Sequence, residues 1–148
     1  MNKFMKVGLA FILSSASYAF ALTADEVKAH VLKGAEYCKD KGVSVCVEEI
    51  GKKGGMFDKG ELYIWANDFK GVITAHPKKP LKGKNLYRYK DKAGNQLFKN
   101  FIDKVQSSDQ GWVDYVWAHP ETGKQTPKSS FVIGIGENQL IGAGYYKE

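Results

Sequence analysis

Gly60-Glu-Leu-Tyr-Ile-Trp-Ala-Asn-Asp-Phe-Lys-Gly-Val-Ile-Thr-Ala-His-Pro77 reads as a β-hairpin with two unlike faces. In its first strand Leu62, Ile64 and Ala66 alternate with Tyr63, Trp65 and Asn67. In the second, Ile73 and Ala75 alternate with Val72, Thr74 and His76. One face is aliphatic, the other aromatic and polar. A sheet that packs helices on one face and lines a cavity with the other needs that division, because binding pockets combine aromatic walls with a few placed polar groups. The turn Asp68-Phe-Lys-Gly71 has Gly at the last of four positions, where it is favoured.

Secondary structure can be read outward from the hairpin. Upstream, Thr23-Ala-Asp-Glu26 is a capping box, and Val27, Val31, Ala35 and Cys38 follow at helical spacing, so a helix is predicted from about Thr23 to Lys41-Gly42. A shorter helix is predicted over Val43 to Lys52, ended by the glycines of Gly51-Lys-Lys-Gly-Gly55. Downstream, a lysine-rich loop leads to a helix over Asn95 to Ser107, with Leu97, Phe101, Ile102 and Val105 on one face. Three strands follow: Gly111 to Ala118, Ser129 to Gly136 and Gln139 to Tyr146. The expected fold class is α+β, a five-stranded antiparallel sheet with a long N-terminal helix and further short helices on one side.

The 148-residue chain opens with Lys3 and Lys6, an apolar run from Val7 to Leu13, and an A-x-A site at Ala19-Phe20-Ala21. These are the parts of a secretory signal peptide, residues 1–21, with Ser17-Tyr18-Ala19 as a second possible cleavage site. The apolar core is shorter than the roughly 20 residues of a spanning helix. Residues 22–148 are expected to form one exported domain, periplasmic or secreted, with no membrane span after removal of the signal. Losing the two signal lysines lowers the formal net charge from +6 to +4. Seven basic residues cluster between Lys78 and Lys92, either a solvated loop or a positive rim that draws in anions. No nucleic-acid recognition motif accompanies them, so no nucleic-acid partner is expected.

Cys38 and Cys46 lie four residues on either side of Gly42, where the chain turns between the two helices. That placement allows the approach of roughly 4.4–6.8 Å between Cα atoms that a disulfide needs, and an oxidising compartment favours it. Two free core cysteines are the other reading. Neither zinc nor haem attachment fits the spacing, and no metal or cofactor is expected.

Seven short patterns occur in one order: Gly60-Glu-Leu-Tyr-Ile-Trp, Gly71-Val-Ile-Thr-Ala-His-Pro, Leu81-Lys-Gly-Lys-Asn-Leu, Asp91-Lys-Ala-Gly, Gly111-Trp-Val-Asp-Tyr-Val-Trp, Pro127-Lys-Ser-Ser-Phe-Val and Ile141-Gly-Ala-Gly-Tyr-Tyr. Together they resemble the single Cache domain, the PAS-like extracellular sensor module of bacterial chemoreceptors and sensor kinases. The resemblance implies a PAS-like sheet with a small-molecule pocket on one face, often for short carboxylates such as acetate, propionate, lactate or pyruvate, and it does not imply catalysis. Cache domains commonly lie between membrane helices or precede a signalling module, whereas this sequence runs only two residues past its last predicted strand. The expected role is therefore a stand-alone binding protein that presents its ligand to a partner such as a membrane chemoreceptor or sensor kinase.

Carboxylate recognition needs a cation or several donors in a partly dry site. Lys128 stands where the family has a recurring lysine before an aromatic strand, and is the expected carboxylate partner. His76, on the polar face beside a proline, is either a ligand donor or a structural histidine; if it must be protonated, binding depends on pH. Tyr63 and Trp65, together with Tyr115 and Trp117 of the third strand, are candidate walls. Tyr145 is a further wall candidate, and Arg88 is carried by the basic loop that could close over the pocket. Asp114 points to the opposite face, where a basic neighbour is expected. G-x-S-x-G, P-loop and H-E-x-x-H motifs are all absent, so the chain is not expected to be an enzyme. The alternative to a binding protein is an interaction module whose pocket is vestigial.

Overall fold

The computed structural model describes residues 21–147. The expected export segment, residues 1–21, lies outside the described residues but for its last position. The helix α1 (Ala24–Lys41) starts with the capping box: Thr23 Oγ1 accepts the Glu26 N–H, and Glu26 Oε2 accepts the Thr23 N–H at 2.8 Å. It ends at Gly42, whose φ of 89° suits glycine and separates it from α2 (Val43–Ile50). Cys38 and Cys46 are joined across this corner by a disulfide, with Cα atoms 4.8 Å apart.

A two-residue ladder, β1 (Asp58–Lys59) with β2 (Leu62–Tyr63), leads into the main sheet. That sheet consists of β3 (Trp65–Asp68), β4 (Ile73–Ala75), β5 (Gln110–Ala118), β6 (Gln125–Ile135) and β7 (Gln139–Tyr146), all antiparallel, in the order β4-β3-β7-β6-β5. The chain leaves β4 at one edge, crosses a face through residues 76–96 and α3 (Leu97–Ser108), and returns as a meander from the other edge. β6 starts earlier than the sequence suggests and runs through Pro127. Proline is tolerated there because its backbone faces Lys147, just past the end of β7, where the Lys147 N–H donates to the Pro127 carbonyl.

Helices cover both faces of the sheet rather than one. On one face α1 and α2 bury Val27, Val31, Cys46 and Ile50 against Ile64, Ala66, Phe131, Ile141 and Ala143. On the other, α3 packs Leu97, Phe98, Phe101 and Val105 against Trp65, Val113, Tyr115, Trp117 and Val132. The single-sided expectation fails because the face lined with aromatic rings is itself apolar enough to need a helix over it.

The hairpin also departs from strict alternation at one place. Ala66 pairs with Ala75 but Asn67 pairs with Ile73, so Thr74 is an extra residue, a β-bulge. The bulge puts Ile73 on the aromatic face with Trp65 and leaves Ala75 on the aliphatic one. Thr74 instead hydrogen-bonds Gln139, its hydroxyl 2.9 Å from Oε1.

Candidate functional site

Between the aromatic face of the sheet and the start of α3 lies a cavity of about 10 Å³. Tyr63 and Trp65 from the hairpin, Tyr115 and Trp117 from β5, and His76 form its walls. Leu97 and Phe98, in the first turn of α3, close it from the other side. Those two were missed in the sequence, where Leu97 counts only as a core residue of an amphipathic helix.

Lys128 stands beside this cavity, 1 % exposed. Its ammonium donates to the Tyr63 hydroxyl at 3.2 Å and lies 4.4 Å from the centre of the Tyr63 ring and 4.7 Å from that of Tyr146. Ring faces offset part of the cost of burying the cation. No side-chain carboxylate among the described residues pairs with it. Gly144 makes this placement possible, since a Cβ there would lie 3.0 Å from Lys128 Cε and closer still to Ser130 Oγ. Gly142 does the same for Trp65, whose ring a Cβ would meet at 2.5 Å.

His76 holds its ring by the backbone: Nδ1 accepts the N–H groups of Lys78 and Lys79 at 3.2 and 3.1 Å. An Nδ1 that accepts leaves the proton of the neutral ring on Nε2. Burial, reinforced by the charges of Lys128 and Lys79, pushes the imidazole down to about 3, so it is neutral at ordinary pH. The hydrogen bonds show the structural role of His76, with Nδ1 fixing the following turn, while Nε2 keeps a donor. Its ring lies 5.3 Å from that of Tyr63.

Other polar groups on this face are mutually satisfied. The Tyr115 hydroxyl and Ser130 Oγ lie 2.8 Å apart, and burial raises the phenol well above its ordinary value. The Tyr146 hydroxyl donates to the Ala118 carbonyl, and Trp65 Nε1 donates to Asn67. Burial also raises Tyr146. The Lys128 ammonium, the His76 Nε2–H and the Tyr63 hydroxyl lie together on this face, a donor set that would suit an anion.

Two of the residues expected at the site lie elsewhere. Tyr145 is on the opposite face, 5.8 Å from Trp112 ring to ring. The register pairs Lys128 with Tyr146, so the neighbouring tyrosine is the one that reaches the lysine, and strand alternation carries Tyr145 away. Arg88 is exposed on the loop, outside the cavity. From the same loop Tyr89 and Lys79 cover Trp117 instead, the Tyr89 ring at 6.1 Å and the Lys79 ammonium at 5.0 Å. Asp114 pairs with Lys147 at 2.9 Å on the α1 side.

Asp91 anchors the loop. One oxygen accepts the Ala93 and Asn95 N–H groups, the other Asn95 Nδ2 and the Val116 N–H of the edge strand β5, at 2.8–3.0 Å. Burial alone would raise its carboxyl, but these bonds hold it below the ordinary range. The sequence signal was the pattern Asp91-Lys-Ala-Gly94, a turn whose acid binds its own backbone.

Glu61, His119 and Glu121 bring donor atoms within 4.8 Å of one another. His119 Nδ1 accepts the Glu121 N–H and its Nε2 lies 3.0 Å from Glu61, so the proton occupies the nitrogen a metal would need. His119 thus bridges the Glu61 carboxylate and the Glu121 backbone.

The Cache domain family matches residues 51–148. This chain belongs to the Cache family. The family and the strand order account for the α+β, PAS-like arrangement around the cavity. Among solved structures, a methyl-accepting chemotaxis protein from Vibrio parahaemolyticus is 27% identical with a TM-score of 0.70, covering 82% of this chain and 86% of that one. The periplasmic sensor domain of a chemotaxis protein is 28% identical with a TM-score of 0.66, covering 82% and 88%. A Cache chemosensory domain described for its carboxylic acid recognition shares the fold at 24% identity and a TM-score of 0.62, covering 81% and 86%. Cache domains are extracellular or periplasmic sensors that bind small ligands and sit in chemoreceptors, which makes this chain a ligand-binding sensor domain. No helix among the described residues is long and apolar enough to cross a membrane.

Proposed function

We propose that this Cache domain is an exported sensor that binds a short-chain monocarboxylate reversibly and presents it to a chemoreceptor or sensor-kinase partner. The observation that carries the reading is Lys128, a buried ammonium with no carboxylate beside it among the described residues, next to two further donors. Taking a cation out of water is costly without a counter-charge, and a carboxylate ligand supplies one. Amino acids fit less well. Their ammonium needs an acceptor, and the buried acids Asp91 and Asp58 are already engaged, the latter with Lys78 at 2.6 Å. The carboxylic acid recognition described for the 24%-identical domain is consistent with this ligand class.

Thermal melts with acetate, propionate, lactate and amino acids test the reading. The carboxylates are expected to raise the melting temperature by mass action on the folded state. Lys128→Ala and His76→Ala should abolish that shift with the fold intact, and unchanged affinity in both would remove the site. A second reading, an interaction module with a vestigial pocket, draws on the small volume of the cavity. It predicts no shift with any of these ligands and capture of a partner by the ligand-free domain. Export would be seen as a mature chain beginning at Leu22.

A further inference from the structure

The cavity has room for the centre of one water, so even acetate must enter through a rearranged wall. Immediately outside is an open surface groove of about 440 Å³. Its lining continues that of the cavity along the chain: Lys78 and Lys79 follow His76, and Ala118 and His119 follow Trp117. A single layer of backbone, residues 76–79, thus contributes to both the cavity and the groove.

Three interactions hold that layer down. The His76 ring accepts the Lys78 and Lys79 N–H groups, and the Lys79 ammonium rests over the Trp117 ring. The third is the ion pair of Lys78 with Asp58 at 2.6 Å, which ties the layer to the β1–β2 ladder that carries Tyr63. The two partners differ in freedom. The Asp58 side chain is 2 % exposed and also accepts the Gly54 N–H at 2.8 Å, whereas that of Lys78 is 21 % exposed and borders the groove. Lys78 is therefore the partner able to leave.

We propose that residues 76–79 are a door to the anion cavity and that the Asp58–Lys78 ion pair is its latch. The proposal rests on the anion-binding reading above. An anion drawn into the groove by Lys53, Lys78 and Lys79 competes with Asp58 for the Lys78 ammonium. The competition gives the ligand what any ligand-driven opening requires, a contact available in the open state and absent from the closed one. The ligand-free domain rests closed, and its apparent affinity is reduced by the fraction of molecules with the door open.

Asp58→Asn tests this, because it removes the charge that holds Lys78 while its side-chain oxygen can still accept from Gly54. Asp58→Asn with Lys78→Met is the second variant and leaves no unpaired charge. Amide hydrogen exchange, followed by NMR without ligand, should quicken about tenfold at Lys78 and Lys79, with the β6 amide of Val132 unchanged as a control for the fold. Stopped-flow tryptophan fluorescence should show acetate associating about tenfold faster and binding correspondingly tighter. Unchanged exchange at Lys78 and Lys79 in both variants, with Val132 still protected, overturns the latch. So does an unchanged association rate where the wild type binds acetate. If exchange quickens but neither wild type nor variants bind acetate, propionate or lactate, the latch stands as a property of the fold and the anion-binding reading fails.

Discussion

Lys128 is a cation and His76 a neutral ring within one small site, and their surroundings explain both. Lys128 lies against two aromatic faces and a hydroxyl, which accept a cation. His76 is buried close to two lysines, which reject a second one. Replacing the ammonium with an apolar group of similar length, Lys128→Met, is expected to weaken acetate binding at least about thirtyfold, the value of a charge-assisted hydrogen bond. The same change should leave the urea midpoint equal or higher, since it removes a buried charge. Calorimetric titration and urea melts check the two halves. For His76 the folded value, about 3, lies below the unfolded value near 6.5. The unfolded state thus takes up the proton first, and stability falls as pH drops from about 6.5 toward 3. His76→Asn, which retains an acceptor for the turn, should flatten that acid limb in melts at stepped pH. Ligand affinity should show no His76 titration between about pH 5 and 8, by calorimetry across that range.

At the scale of elements, the hairpin and the loop that follows depend on a few backbone positions. Gly71 has φ 87°, and a Cβ there would meet the Tyr87 Cβ at 2.6 Å and its backbone nitrogen at 2.7 Å. Gly71→Ala is therefore expected to cost about 1–3 kcal/mol in urea melts. Asp91→Ala removes four hydrogen bonds, three that shape the loop and one that fastens it to Val116 of β5, and should lower stability by about 2–4 kcal/mol. Its sign in exchange experiments is faster opening at Val116 rather than in β6. Alternation made the two faces of β2 and β3 legible in the sequence, because a pleat sends successive side chains to opposite sides. It failed at Ile73, where a single inserted residue shifts the phase. It also did not distinguish Tyr145 from Tyr146, since both precede the end of the strand and only pairing with Lys128 selects one.

Across the whole molecule, a sheet with an apolar core on each face supports a cavity that neither layer forms alone. The disulfide between α1 and α2 braces the layer away from the cavity; replacing both cysteines with serine should cost about 2–3 kcal/mol in melts and leave acetate binding unchanged. The succession of helices and strands along the chain, the capping box, the cysteine spacing that allows a disulfide and the aromatic faces could be read from the amino acids, because each depends on local spacing or on patterns repeated along the chain; the order of strands in the sheet could not. The sequence by itself determined an α+β Cache domain and named Tyr63, Trp65, His76, Tyr115, Trp117 and Lys128. Only the tertiary structure decided that Leu97 and Phe98 shut the cavity, that Tyr146 rather than Tyr145 flanks the lysine, and that Asp58 holds Lys78. Those contacts join residues from separate elements, and their geometry is set by strand register and helix docking, which no local pattern encodes.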